Sequence, residues 1–439
     1  MLKNIKGERH VSNSRVIEFK NPEVGTQDLL SELIRTSARE MLACAIESEL
    51  QEFLSNHDEL LAGTGKRRLV RNGYLPERAI TTGIGAVSVQ VPRVRDREIT
   101  SGDSSIKFDS KIVPKHLRRS ASMEELLPLL YLKGISTNDF AEVLQPLLGK
   151  DAKNVSPGVI SNLKRSWETE YCNWQKSDLS NKNYVYFWAD GIYLQARMEH
   201  EKNCVLVIIG ARSDGKKELV GLDIGFRESK QSWRELLISL QSRGLSIAPK
   251  LAVGDGALGF WGAINEIFPL TQHQRCWVHK TKNILDKMPK TLRSKAKPML
   301  QEIYNSDTKA NANKAFKKFI KTFSDKYPKA ADCLAKDKDE LLAFYDFPAA
   351  NWPHLRTTNP IESTFATVRH RTYKAKGAFS STTILTMVFK LVLGAQKRWK
   401  LLYGYKELAD VIRGVKFNDG IKDEEIEIQS NSSNSEIAA

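Results

Sequence analysis

With 439 residues the chain is long enough for about three domains of roughly 150 residues each, and its 67 Lys and Arg against 52 Asp and Glu leave a formal net charge of +15. A content of 41% apolar and 27% charged residues excludes a wholly disordered chain, no apolar run approaches the ~20 residues that span a bilayer, and five scattered cysteines make no disulfide framework, which points to a reducing, cytoplasmic setting. The basic surplus is larger still outside Lys422–Ala439, which hold five acidic groups and one basic, and it points to a polyanionic partner, nucleic acid before a membrane surface.

The opening residues MLKNIKGERH have no apolar segment of signal-peptide type, and residues 1–25 read as irregular. From Thr26 to about Leu54 the apolar positions Leu30, Ile34, Ala38, Met41, Ala45 and Leu50 recur at helical spacing. Gly63 to Arg97 changes character. Lys66, Arg67, Arg68, Arg71, Arg93, Arg95 and Arg97 surround a short alternating stretch, Ala86 to Val91, which predicts a small basic β element, either in contact with DNA or simply a solvated charge cluster.

Residues 123–168 read as helical. Ser136 or Thr137 would cap a short helix, and after a turn at 149–154 Ser156 caps a second one with Pro157 in its first position. Two short helices with a polar, basic second member resemble a helix-turn-helix, in which Ser161, Asn162, Lys164 and Arg165 would face the major groove; an ordinary helical hairpin has the same pattern. From Tyr184 the periodicity turns to strands at Tyr184–Ala189, Cys204–Ala211 and Leu219–Phe226. A helix over Ser232–Ser242 and a short strand over Lys250–Gly254 complete a mixed-sheet α/β domain. Residues 282–350 are Lys-rich and mostly helical, as an insertion would be, and helical sequence resumes near Asn359 and runs past Lys400. The tail from 416 reads as disordered.

Three acidic residues stand at telling places. Asp190 and Asp255 each follow a strand and precede a glycine, and in an open α/β sheet ligands bind outside the carboxyl ends of strands. Two such carboxylates would share hard divalent cations such as Mg2+, although Asp-Gly is equally a common turn pair. Glu362 lies three residues after Asn359, with Pro360 between them. That is the spacing of a capping box, and equally of a third carboxylate at a helix start. Cys276 and His279 have the spacing of half a zinc site, but Cys333 and His354 supply no second pair, and a structural zinc needs about four ligands. Packing beside the acidic site and orienting it is the better reading of the pair.

Here the residues resemble a family. Asp255-x3-Gly259-Phe260, then Phe268-Pro269-x-Thr271-x2-Gln274-x-Cys276-x2-His279, together with Ala189-Asp-Gly-Ile-Tyr and Thr358-Asn-Pro-Ile-Glu-Ser-Thr-Phe, are similar to the mutator-type transposases of bacterial insertion sequences, relatives of the plant Mutator-like elements. The resemblance runs from about Tyr184 to Arg371. It continues more loosely upstream through Arg71-Asn-Gly-Tyr and Val91-Pro-Arg-Val-Arg-Asp, and it departs at Ile267, where a smaller residue is usual.

The resemblance implies an α/β ribonuclease-H-like catalytic core with an α-helical insertion and a mainly helical N-terminal DNA-binding region. The expected limits are 1–122 for the N-terminal helical and basic region, 123–180 for the helix-turn-helix-like region, 181–281 and 351–415 for the two parts of the core around the insertion at 282–350, and 416–439 for the acidic tail. It implies an Asp-Asp-Glu triad of Asp190, Asp255 and Glu362 that holds two Mg2+ ions, with Mn2+ as a substitute, and it makes Cys276 and His279 the family's C-x2-H element. Its partners would be double-stranded DNA, namely the element's terminal inverted repeats and the target, and further copies of itself in a homodimer or larger assembly, in the bacterial cytoplasm and associated with the nucleoid. Arg369, Arg371 and Lys374, on or after the Glu362 helix, would meet DNA phosphates or form a solvated helix face. A DNA-binding regulator without catalysis, or a structure-selective nuclease of the same core, remains the alternative.

Overall fold

The computed structural model describes residues 29–98, 105–135, 139–148, 157–195, 202–374 and 380–423. They form two compact units. The first takes its residues from Met1–Leu127 and Asp139–Val155, the second from Pro128–Asn138 and Ser156–Ala439. The stretch 123–180 is therefore divided between them.

In the first unit, helix α1 (Leu29–Ser55) precedes four short strands, β1 (Leu69–Tyr74), β2 (Arg78–Thr82), β3 (Gly85–Val89) and β4 (Pro92–Asp96). They pair antiparallel as β1 with β4 and β2 with β3. Ile46 and Leu50 of α1 pack on Ile80, Val87, Val89, Phe108 and Val113. Asp96 accepts both Arg68 Nε at 2.8 Å and the second guanidinium nitrogen at 3.0 Å, a bidentate pair that holds its carboxyl well below the usual carboxylate range. Arg71 and Arg93 are exposed on this element. Helix α2 (Ala121–Lys133) crosses the division at Pro128, and α3 (Phe140–Leu148) returns to the first unit.

After the end of α2, the second unit continues with α4 (Pro157–Gln175), a 19-residue helix where a short one was expected. Its C-terminal half is anchored, with Tyr171 Oη donating to Leu222 O at 2.8 Å and the Tyr171 and Trp174 rings 5.4 and 5.2 Å from Phe389. The two helices expected to form a helix-turn-helix are thus α3 in one unit and α4 in the other. Ser136, Thr137, Ser156 and the turn at 149–154 lie outside the described residues.

A five-stranded sheet follows, built from β5 (Tyr184–Gln195), β6 (Lys202–Arg212), β7 (Lys217–Gly225), β8 (Leu251–Gly254) and β9 (Gln272–Arg275) in the order β7-β6-β5-β8-β9. The first three are antiparallel hairpin neighbours; β8 and β9 run parallel to β5. Strand β6 is buried on both faces, which is why Val205-Leu-Val-Ile-Ile reads as one continuous apolar run. Helices α5 (Lys230–Ser242) and α6 (Leu258–Ile267) cover one face through Trp233, Leu237, Leu240, Phe260 and Ile264. The other face is covered by α7 (Trp277–Leu285), the run α8 (Lys290–Tyr304), α9 (Lys309–Phe323), α10 (Pro328–Ala335) and α11 (Lys338–Leu342), then α12 (Trp352–Leu355), α13 (Asn359–Lys374) and α14 (Ser381–Gln396).

The chain closes with α15 (Leu408–Arg413) and a hairpin of β10 (Phe417–Asn418) and β11 (Ile421–Lys422). Disorder expected from 416 therefore does not begin there. Phe417 is buried in the main core, and Asp419 and Gly420, both left-handed, make the turn. Residues beyond 423 lie outside the described set.

Candidate active site

The site begins with strand pairing. Trp188 on β5 lies opposite Val253 on β8 in parallel register, so the same register carried two residues further sets Asp190 beside Asp255. Asp190 does not end its strand as expected: β5 runs on to Gln195, and Asp190 pairs with Val207 of β6 within it. It is 8% exposed, and its Oδ1 accepts the Gly191 N–H at 2.9 Å. Asp255 does open a turn, as its pairing with glycine suggested, with Oδ1 accepting Ala257 N–H at 2.7 Å. Gly256 must follow it: φ is +91°, and a Cβ there would sit 2.3 Å from the Arg275 guanidinium.

Glu362 reaches the same corner by a chain of hydrogen bonds. Cys276 N–H bonds Gly254 O at 2.8 Å, and Cys276 Sγ accepts both Thr358 N–H and Thr358 Oγ1 at 3.4 Å. The Thr358 hydroxyl also lies 3.2 Å from Glu362 Oε1 as donor. This is not a capping box. Asn359 N–H goes to Thr357 Oγ1, and the helix starts at Asn359 itself, which leaves the Glu362 carboxylate pointed at its threonine.

His279 stands between the carboxylates. Its Nε2 is 3.6 Å from Glu362 Oε1, and its Nδ1 is buried. The adjoining Cys276 above all, then Asp190 and Glu362, push its pKa up to about 9. Burial pushes the Cys276 thiol up, but His279 and Thr358 outweigh it and the net direction is down. Among the described residues, Cys276, His279 and Glu362 are the one trio of metal-type donors within 4.8 Å of one another. Glu362 shares that corner rather than closing on Asp190 and Asp255 within the same distance.

A fourth carboxylate, Glu228, was not foreseen. It lies between β7 and α5, in a stretch that reads as plain loop. A Cβ on Gly191 would fall 2.7 Å from its Cγ, Cδ and Oε1, and one on Gly259 would fall 2.0 Å from its carbonyl oxygen. Two glycines therefore make the room that Glu228 occupies. The only sequence signals were those glycines, one directly after Asp190 and one four residues after Asp255. Burial, then Asp255 and Asp190, push Glu228 up to about 7. Burial likewise pushes Asp190 up to about 7, with Asp255 and Glu362 adding to it and His279 opposing. Burial first, and neighbouring carboxylates second, hold protons on Asp190 and Glu228 to near neutrality, and oxygen donors of this kind fit a hard divalent cation.

The remaining expected residues divide. Ser161, Asn162 and Arg165 are exposed on α4 and Arg369 on α13. Lys164 is half-buried, 5.8 Å from the Tyr131 ring centre, and burial lowers its pKa. Arg371 differs from expectation. It is 3% exposed, with its guanidinium 4.5 Å from the Tyr131 ring centre, because it continues the buried row Ile361, Phe365 and Val368 at helical spacing. The side chain of Lys374 lies outside the described set.

The fold and the site define an α/β protein with carboxylates gathered where β8 ends beside β5. Residues 9–401 match the Transposase, Mutator family, and the chain belongs to that family. It is 49% identical over 280 residues to the transposase for insertion sequence element IST2 of Acidithiobacillus ferrooxidans, covering 64% of this chain and 95% of that one. It is 47% identical over 298 residues to the transposase for insertion sequence element IS6120 of Mycolicibacterium smegmatis, covering 68% and 92%. To the transposase for IS256 in transposon Tn4001 of Staphylococcus aureus it is 29% identical over 355 residues, covering 80% and 85%. No helix of the described residues is long and apolar enough to cross a membrane.

Two measurements test the electrostatics. Asp190 and Glu228 titrate near 7 in the metal-free fold but near 4 when unfolded. Between those values the fold holds protons that the unfolded chain has released, so their contribution to stability falls as pH rises through that window. At pH 8, Mg2+ or Asp190→Asn should raise the thermal midpoint by about 2–4 °C, and at pH 5 by much less; equal shifts at both pH values would mean that the carboxylates are not strained. His279→Ala and Cys276→Ser should lower DNA cutting at least about tenfold while elemental analysis finds no stoichiometric zinc in the parent protein; one zinc per chain would make the pair metal ligands instead.

Proposed function

We propose that the protein is an insertion-sequence transposase that binds the terminal inverted repeats of its own element and cuts and joins DNA with divalent metal. The observation that carries the reading is the parallel pairing of Trp188 with Val253, two residues before Asp190 and Asp255, with Glu362 reached from the same strand through Cys276 and Thr358. The sheet order, three antiparallel strands followed by two parallel ones, supports a ribonuclease-H-like core, with α8–α11 as its insertion.

Asp190, Asp255 and Glu362 would hold the metal, two Mg2+ ions in the fullest form, with Glu228 as a nearby fourth carboxylate. When bound, such ions activate an attacking oxygen and stabilise a leaving one. The protein's own residues supply the rest. Thr358 and Cys276 orient Glu362, and cationic His279 offsets the carboxylates' mutual repulsion. Burial of Asp190 within β5 keeps bulk water away. Water attacks a phosphodiester at the element's end and frees a 3′-hydroxyl; that hydroxyl then attacks a target phosphodiester by in-line displacement, with the displaced 3′-oxygen as leaving group. No covalent enzyme intermediate is needed.

Arg369 on the Glu362 helix, together with Ser161, Asn162 and Arg165 on α4, offers exposed DNA-contacting groups. Joining two ends calls for two or more copies of the chain. Because phosphate contacts supply most of the affinity, binding should weaken steeply with salt.

Asp255→Asn should bind element-end DNA as tightly as the parent, or slightly more tightly, and cut it at least about a thousandfold more slowly; appreciable metal-dependent cutting would remove Asp255 from the site. In cells carrying the gene in its native flanks, outward-facing primers should amplify joined element ends with the parent protein and not with Asp190→Ala. Expression and flank binding without joined ends would make the protein a regulator. Hydrolysis that never joins an end to a target would make it a nuclease.

A further inference from the structure

The loop from β7 to α5 is anchored at every residue, yet it turns two large side chains outward. Gly225 is pressed between Ser232 and Leu206, where a Cβ would lie 2.8 and 2.9 Å from their atoms. Phe226 N–H donates to Ser232 Oγ at 3.0 Å, and Ser229 caps α5 by accepting Ser232 N–H. Within this frame Arg227 has φ +57°, a left-handed conformation uncommon for a residue with a side chain and retained where its surroundings dictate it. That reversal lets Glu228 turn in against Gly191 while Phe226 and Arg227 face out.

Phe226 is 69% exposed and takes no part in either core cluster of its unit. The Arg227 guanidinium sits 5.5 Å from the centre of its ring, and Arg227 is in no ion pair with a described residue. Leu258 is 80% exposed at the start of α6, immediately before Gly259, which packs on the Glu228 carbonyl. The rim next to the carboxylates thus carries an aromatic ring, a cation and an aliphatic side chain that the fold does not use.

We propose that Phe226 and Arg227 form a base-capture element, in which Phe226 stacks on a nucleobase taken out of the duplex beside the scissile phosphate and Arg227 pairs with an adjoining backbone phosphate. The proposal rests on the transposase reading above. A scissile phosphate held at the carboxylates brings its flanking nucleotides to this rim, because Glu228 belongs to both. Ring faces take any base, and enzymes that work on one nucleotide of a duplex often remove its base from the stack. An arginine beside the ring suits a polyanion better than an apolar protein partner.

The test uses the full chain with Mg2+ and a duplex carrying one element end. Phe226→Ala should cut fully paired DNA at least about tenfold more slowly than the parent, and Phe226→Trp should cut it at close to the parent rate. The thermal midpoints of both should match the parent's, since the ring is exposed. On a duplex whose base next to the cut is mismatched or abasic on the opposite strand, Phe226→Ala should recover to within about threefold of the parent, because the unpairing has been done in advance.

An equal loss on paired and unpaired DNA, or no loss on either, would overturn the proposal while leaving the transposase reading intact. A parent protein that cuts neither substrate would overturn both. Arg227→Ala should weaken cutting of both duplexes alike; rescue of that variant by the unpaired duplex would assign the unpairing to the arginine and overturn the division of roles.

Discussion

The parallel pairing of β5 with β8 is the constraint on which the site depends. Two carboxylates are brought together from positions far apart in the chain because Trp188 faces Val253, two residues before each of them, where β8 ends and β5 continues. A slip of one residue would send Asp190 to the opposite face. The pairing is secured by burial, since Tyr186, Phe187, Trp188, Leu251, Ala252 and Val253 are all inaccessible to solvent, and by α5, which makes the crossover that parallel strands require. Apolar surface therefore fixes the place at which charge is then concentrated.

Holding Glu362 at that place is a separate problem, because the helices α8–α11 intervene. Cys276 solves it as a hydrogen-bond junction that takes Gly254 on one side and Thr358 on the other. The inserted helices are tied to the sheet edge by Gln274, which is wholly buried; its amide donates to Leu341 O, and its carbonyl accepts Phe344 N–H at 2.8 Å. Trp277 Nε1 donates to the same Leu341 oxygen at 2.9 Å. Helices α8–α11 are thus an integral wall of the second unit.

Crowding the carboxylates is costly to the fold, and the structure meets that cost in more than one way. His279 is held cationic among them, the Thr358 hydroxyl serves Glu362, and Asp190 and Glu228 keep protons to near neutrality. Glycines at 191 and 259 leave the room that Glu228 occupies, and Gly256 leaves room for the Arg275 guanidinium. The same crowding makes the corner a place for a hard cation, since a divalent ion supplies the charge that protons otherwise supply.

The sequence by itself determined the apolar strands of the sheet. Runs such as Cys204-Val-Leu-Val-Ile-Ile admit little but a buried strand, whereas the end of β5 was not legible, since the strand runs past Asp190 and Gly191 to Gln195. The sequence also held, unread, the reason Arg371 is buried, since that residue continues the apolar row of Ile361, Phe365 and Val368 at helical spacing. The tertiary structure alone decided the rest. Strand β9, Gln272-His-Gln-Arg, has no apolar pattern and exists only because β8 offers it an edge. Glu228 has no periodic signal and becomes part of the site only where Gly191 leaves space for it. Cys276 and Thr358 are 82 residues apart, and contacts at that range depend on how whole elements pack, which local spacing does not encode.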